Sequence, residues 1–352
     1  MTPPSSPSSL PAGPLPTSAS APLLVHPGTG PVVFVAPHAA ASVAGVRHLF
    51  RPEEHPELDA RVADWIDEGS LEALDAAHAV SGGPAARPSL PRAIFDLNRG
   101  EVRPGVKESL FDKGAVDDWT TARLTPDAAD ALRAIHRAQI ATLRELCDGR
   151  TALVELHSYG ELGSTYDQMN GGRPVRRAAA CIVESMPWTT ATPLGLARLV
   201  PGDLIGCPWP IRRRIGDALA DHGIELGPSP YPRQGPWTLS ARFLASRWFD
   251  FVAGRGLLPR ATAVWLQDRV WGVDAMNPRI DAAAGQPDPE LPGLDTFARH
   301  IGAWSREPSE LAAEFLRETG TLAFGVELRL DLAPRADLVG MAVGRIFRPV
   351  RG

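Results

Sequence analysis

PVVFVAPHAA (residues 31–40) and TALVELHSYG (residues 151–160) decide the fold. Each begins with about five apolar residues rich in Val, Leu and Phe, too short for a globular helix and without the polar alternation of a one-sided sheet. RAIFDLNRG (92–100) and LAFGVELRL (322–330) repeat the pattern. Runs of this kind are buried on both faces, the condition of strands in a largely parallel sheet with helices on either side. They read as strands at 31–36, 92–97, 151–156 and 321–330, with two more at 178–183 and 262–266. Helical stretches alternate with them at 57–80, 126–147, 212–222, 239–254 and 294–318. The helix at 126–147 opens with Thr125-Pro126-Asp127, a cap followed by proline in the first turn, and repeats Leu132, Ile135, Ile140 and Leu143 at helical spacing. The expected architecture is α/β, three-layer α/β/α on a mostly parallel mixed sheet.

Length and composition permit a complete enzyme, since 352 residues of which 44% are hydrophobic suffice for a substantial core. A net charge of −5, with no basic run interleaved with aromatics, argues against nucleic acid as a partner. The short clusters RPVRR (173–177) and IRRR (211–214) read as solvated faces. Cys147, Cys181 and Cys207 are odd in number and lack CxxC spacing, which fits a reducing compartment rather than a disulfide framework or a cysteine zinc site. No secretory leader and no apolar span of about 18 residues is visible, so no membrane is expected and the cytoplasm is the expected location. Residues 1–22 are rich in Pro and Ser, cannot offset the entropy of ordering a backbone, and read as a disordered tail. Residues 23–352 are expected to form a single catalytic domain with an insert of its own character around 185–293. Within that insert GPSPYPRQGPW (227–237) and the stretch 271–293 have the length and Pro/Gly content of functional lids or disordered insertions.

The polar residues of the four apolar runs carry the chemistry. His38 follows VVFVAP directly, so its strand delivers an imidazole to the carboxyl end of the sheet, where open α/β sheets bind ligands. His157 ends the run TALVELH in the same way, and Glu155, two residues earlier, points to the same strand face. Two such histidines can share one zinc ion; a catalytic zinc takes three protein ligands and keeps a fourth position open. The third ligand is expected to be a carboxylate. Asp64 and Asp67, in ARVADWIDEGS, are the leading candidates, and Glu155 is another, though beside a ligand histidine it suits the orienting of that ring better. Asn98 and Arg99 have the donors for a bidentate grip on a carboxylate, with Asp96 placed to hold Arg99 or the backbone turn. Glu327 sits inside an apolar strand, an expensive position unless paired or functional, and a glutamate near an activated water can move its proton.

In that order the four segments resemble the N-formylglutamate amidohydrolase family and, more distantly, the zinc carboxypeptidases and aspartoacylases, whose fold is of the phosphorylase/hydrolase kind. The amidohydrolase patterns P-H-[SAT], R-x-x-x-D-x-N-R and D-x-H-S read here as Pro37-His38-Ala39, Arg92 through Asp96-Leu97-Asn98-Arg99, and Glu155-Leu156-His157-Ser158. HSYG and VELRL are also similar to carboxypeptidase segments, and IHRAQIATL, with His136, is similar to the family's Tyr-His-x-x-Leu helix. GPWTLSARF, with Thr238, resembles its Gly-Trp-x-Thr segment. The resemblance spans roughly residues 31–160 and 321–330. It implies zinc at His38 and His157, carboxylate recognition by Asn98 and Arg99, and Glu327 as general base and proton shuttle. Arg92, His136 and Thr238 are then substrate-side or supporting residues. Ala41 stands where carboxypeptidases carry a ligand glutamate, which points to Asp64 as the substitute, or to Asp67 if the alignment slips. The expected function is zinc-dependent cleavage of the amide of a small N-acyl amino acid or similar carboxylate substrate, with one zinc ion. The alternatives are a carboxypeptidase-like peptidase and an inactive binding protein on the same fold.

Overall fold

The runs that lead to His38 and His157 are neighbouring parallel strands at the centre of a mixed seven-stranded sheet. The computed structural model describes residues 15–17, 19–99, 115–163, 175–183, 199–201, 204–230, 238–271, 296–297 and 310–348. Strands β1 (Leu23–His26), β2 (Val32–Val35), β3 (Ala85–Pro88), β4 (Ala152–Tyr159), β5 (Ala180–Val183), β6 (Leu226–Gly227) and β7 (Leu322–Arg329) lie in the order β1-β3-β2-β4-β7-β5-β6. The pairs β3/β2, β2/β4, β4/β7 and β5/β6 are parallel, whereas β1/β3 and β5/β7 are antiparallel.

Residue parity divides the core. Val33, Val35, Leu153 and Ala323 face one apolar layer, and Val32, Phe34, Val154, Leu156, Phe324, Val326 and Leu328 face the other. The first layer is covered by helices α1 (His55–Trp65), α4 (Pro126–Cys147), α6 (Leu239–Gly254), α7 (Arg260–Trp271) and α8 (Glu310–Thr319). Against the second pack α2 (Ser70–Ser81), α5 (Trp209–Ala220) and α9 (Ala336–Ile346). A short helix, α3 (Asp118–Arg123), precedes α4. After β2 the chain pairs β3 on one side and later β4 on the other, so a topological switch falls between β2 and β4. In open α/β sheets ligands bind in the crevice beyond the carboxyl ends of the strands at such a switch.

Three expectations about elements change. The helix expected over 57–80 is two helices, broken at 66–69, where Gly69 adopts φ +82 and an added Cβ would lie 2.9 Å from Ala336 Cβ. The break carries the chain from α1 on one face of the sheet to α2 on the other, over the carboxyl edge. Residues 92–97 are a turn rather than a strand: Ile94 and Phe95 donate back to the Pro91 carbonyl, and the ladder is formed earlier, at 85–88. Ala93, Ile94, Phe95 and Leu97 are apolar because they are buried in the first layer. The run 262–266 is helical, part of α7, where Ala263, Leu266 and Val270 recur at helical spacing on the buried side.

At the amino end, residues 15–17 and 19–22 of the expected tail are placed, with Ala21 buried and its carbonyl accepting from Gln139 Nε2 at 2.9 Å; residues 1–14 lie outside the described residues. Most of the two expected lids, 231–237 and 272–293, also lies outside them. Among the described residues no helix is long and apolar enough to cross a membrane.

Candidate metal centre

His38 lies three residues beyond β2, and its backbone carbonyl accepts from Asp67 N at 3.2 Å. That bond ties the break between α1 and α2 to the end of β2. It brings Asp67 Oδ2 to 3.1 Å from His38 Nδ1 and 2.9 Å from His157 Nδ1. The two imidazoles stand 4.9 Å apart between centroids, tilted by 54°. One ligand atom from each of His38, Asp67 and His157 lies within 4.8 Å of the others, and all three side chains are enclosed. This group could hold a metal ion.

The far nitrogens of the rings support that reading. His38 Nε2 meets Asp96 Oδ1 at 2.9 Å, and His157 Nε2 meets Glu155 Oε2 at 3.3 Å. Each ring therefore offers one nitrogen to a carboxylate that fixes its orientation and turns the other toward Asp67, the usual arrangement behind a metal-bound histidine. Two imidazole nitrogens and one carboxylate oxygen make a three-ligand donor set of the catalytic zinc type. The orienting acids are themselves held. Asp96 Oδ1 accepts from Asn98 N at 2.9 Å, and its Oδ2 from Arg92 Nε at 3.1 Å and Arg99 Nε at 3.3 Å. Glu155 Oε1 accepts from Ser240 N at 2.7 Å, and Asn98 Oδ1 from Leu239 N at 3.3 Å. The first turn of α6 thus points its amides into the centre, where helix amino termini favour negative charge.

Electrostatics follow from this crowding. Burial would raise the Asp67 carboxyl, but His38 and His157 hold it well below the ordinary carboxylate range. The same opposition, with His38 and then Arg92 outweighing burial, keeps Asp96 ionised. Glu155 is likewise lowered against burial, by His157 and Ser240. Burial would push the His157 imidazole down, yet its bonds to Asp67 and Glu155, with Glu327 nearby, hold it well above the ordinary value. Glu327 is half-buried and stands opposite His157 in the β4/β7 register, on the same face. Burial raises its carboxyl to about 7, the pull of His157 being partly offset by Asp67. It lies in a central strand, with Cys181 opposite on β5, and not at a sheet edge.

The structure brings Asp67, not Asp64, to the two histidines; Asp64 is exposed on α1. Arg92, Asp96, Asn98 and Arg99 come from the turn after Pro91, and Asn98 Nδ2 lies 3.4 Å from His157 Nε2. Thr238 caps α6, its hydroxyl accepting from Ala241 N at 3.3 Å. His136 is fully buried behind the turn, edge-on to Phe95 at 5.8 Å. Among the described residues neither of its ring nitrogens finds a well-formed hydrogen bond, although the backbone of Leu97 and Arg99 lies against it. Burial, then the Arg242 guanidinium, pushes its imidazole down to about 3.

Arg242 itself went unread in the sequence. It is 1% exposed, its Nε and one terminal nitrogen have no hydrogen-bond partner among the described residues, and burial lowers it to about 10 against the pull of Glu155 and Asp96. Its signal was a cation set between Ala241 and Phe243 among the buried positions of LSARFLASRWF. Ser240 and Leu239 act through backbone amides, which residue type does not reveal.

No family model matches the sequence, and no curated protein matches it significantly. Two solved structures are similar over nearly the whole chain. One is an N-formylglutamate amidohydrolase from Ralstonia eutropha JMP134, 13% identical, with 93% of this chain and 98% of that chain covered and a TM-score of 0.46. The other is the gene product Atu2144 from Agrobacterium tumefaciens, 15% identical, with 95% and 98% covered and a TM-score of 0.44. Likenesses at that level fix no activity for this chain.

Proposed function

We propose that the protein is a zinc-dependent amidohydrolase that cleaves the amide of a small N-acyl amino acid or a similar carboxylate-bearing substrate. The observation that carries this reading is the convergence of both Nδ1 atoms on one Asp67 oxygen while Asp96 and Glu155 hold the opposite nitrogens. The motif order around His38, Asn98-Arg99, His157 and Glu327 supports it. Zinc held by His38, Asp67 and His157 would supply Lewis-acid polarisation of the amide carbonyl and acidify a water molecule. Glu327, on the strand beside His157, takes the proton of the attacking water and returns it to the leaving amine nitrogen. Its elevated carboxyl, near 7, suits a group that must both accept and donate at neutral pH. Arg99 and Arg92, each fastened through Nε to Asp96, present their remaining nitrogens to the substrate carboxylate, and Asn98 adds an amide beside them.

Release of free amine from a panel of N-acyl amino acids, followed with and without a chelator, tests the function. Turnover that the chelator abolishes and added zinc restores is the expected result. Turnover indifferent to chelation would remove the metal from the account, and a specific preference for peptides over acyl amino acids would favour the carboxypeptidase-like alternative.

A further inference from the structure

Asp96 is not the only group that restrains Arg92. The Arg92 guanidinium lies 5.7 Å from the centre of the Trp65 ring, at the end of α1. One helical turn earlier, Arg61 lies 4.6 Å from that ring and 4.6 Å from the ring of Trp119 on α3. Trp119 in turn stacks on Phe50 at 5.8 Å with 26° between planes, and Arg123 sits 4.1 Å from its centre. Acids hold the cations of this column: Asp117 pairs with Arg61, and Glu57 meets Arg123 at 3.2 Å while accepting from the Trp119 indole at 2.5 Å. The column is tied to the turn that bears Arg92. Thr120 Oγ1 donates to the Ala93 carbonyl at 3.2 Å, and Asp96 N donates to the Ala115 carbonyl at 2.7 Å.

We infer that Trp65 is a positioning residue for the candidate site: its ring, backed by Arg61, fixes the direction in which Arg92 presents its guanidinium beside Asp96. Arginine loses much rotamer freedom when it is held, and a flat ring face restrains the planar guanidinium without consuming a donor. Asp96 engages Arg92 through Nε, and the Trp65 ring lies against the guanidinium itself. Arg99 supplies the internal comparison. It bonds the same Asp96 oxygen through Nε, yet among the described residues no ring lies against it. The meeting of Arg92 with substrate rests on the amidohydrolase reading; its restraint by Trp65 does not.

The test is the rate of phenylglyoxal modification of Arg92 and Arg99 in the full-length protein, read by peptide mass spectrometry. Trp65→Leu accelerates modification of Arg92 about fivefold, the change expected for loss of one cation–π contact, and leaves Arg99 unchanged. Trp65→Phe, which keeps a ring face, stays within about twofold of wild type. An unchanged Arg92 rate in Trp65→Leu overturns the inference, and so does equal acceleration at Arg99, which marks general loosening. Arg61→Met serves if Trp65→Leu fails to fold; it accelerates Arg92 alone by a smaller factor, and no acceleration there counts against the column. With an active wild type, Trp65→Leu raises KM about fivefold and leaves kcat within about twofold, whereas a fall in kcat alone contradicts a positioning role. If the wild type hydrolyses no N-acyl amino acid, the proposed function fails, and the modification rates still decide the role of Trp65.

Discussion

Glu327, half-buried on β7, and His136, fully buried behind the turn after Pro91, carry opposite consequences. Glu327→Gln keeps the shape of the β7 site and removes only the exchangeable carboxyl, so it should fold and bind metal with wild-type affinity while turnover falls by about 10² to 10⁴. Full activity in that variant would remove Glu327 from the mechanism. His136 is held neutral, with its folded value near 3 and its unfolded value near 6.5. The unfolded chain therefore binds the extra proton first as pH falls, and stability declines between about pH 6.5 and 3. From pH 7 to pH 5 this one group costs about 2 kcal/mol. In His136→Gln that portion disappears, so urea unfolding at the two pH values should show a smaller loss than in wild type; an equal loss would mean His136 is not buried neutral. At this scale the sequence was legible in grouping His38, His157 and Glu327, which the structure places just beyond β2 and opposite one another on β4 and β7. The choice of Asp67 over Asp64 was not legible, because the helical pattern of 57–80 runs through the break and only the backbone turn at Gly69 reveals which acid swings over the sheet. Arg242 escaped for a different reason: Glu155 and Asp96, the carboxylates whose charge acts on it, are distant in sequence.

Elements were readable where burial and length agreed. The runs that became β2, β4 and β7 are buried on both faces, and the capped helix α4 begins at Pro126 as its sequence requires. The turn at 92–97 and the helix over 262–266 were misread because an apolar run reports burial first and conformation second. The pairing of α2 with α9 rests on small residues that no hydrophobic pattern singles out. A Cβ added at Gly340 would lie 2.1 Å from the Ala73 carbonyl oxygen, so the two helices approach at backbone contact. Gly340→Ala is therefore expected to force them apart and to destabilise the fold by about 1–3 kcal/mol, read as a lower urea midpoint at unchanged slope. An unaltered midpoint would show that this contact can relax freely.

Taken as a whole, the molecule sets its candidate centre where the strand order reverses between β2 and β4, and supplies it from both faces of the sheet. The strand ends bring His38, His157 and Glu327; the break between α1 and α2 brings Asp67; the turn after Pro91 brings Asp96, Asn98 and the arginines; the start of α6 closes the back of Glu155. Convergence of six separated segments is what a single sequence hides, since each segment alone is a short and ordinary pattern. The central claim is that His38, Asp67 and His157 form one metal centre, and equilibrium dialysis against zinc with metal analysis tests it directly on wild type, Asp67→Ala and Asp64→Ala. One ion per chain is expected in wild type and in Asp64→Ala, with affinity lower by more than about tenfold in Asp67→Ala. Absence of stoichiometric zinc in the wild type, or loss of zinc in Asp64→Ala with retention in Asp67→Ala, would contradict the account.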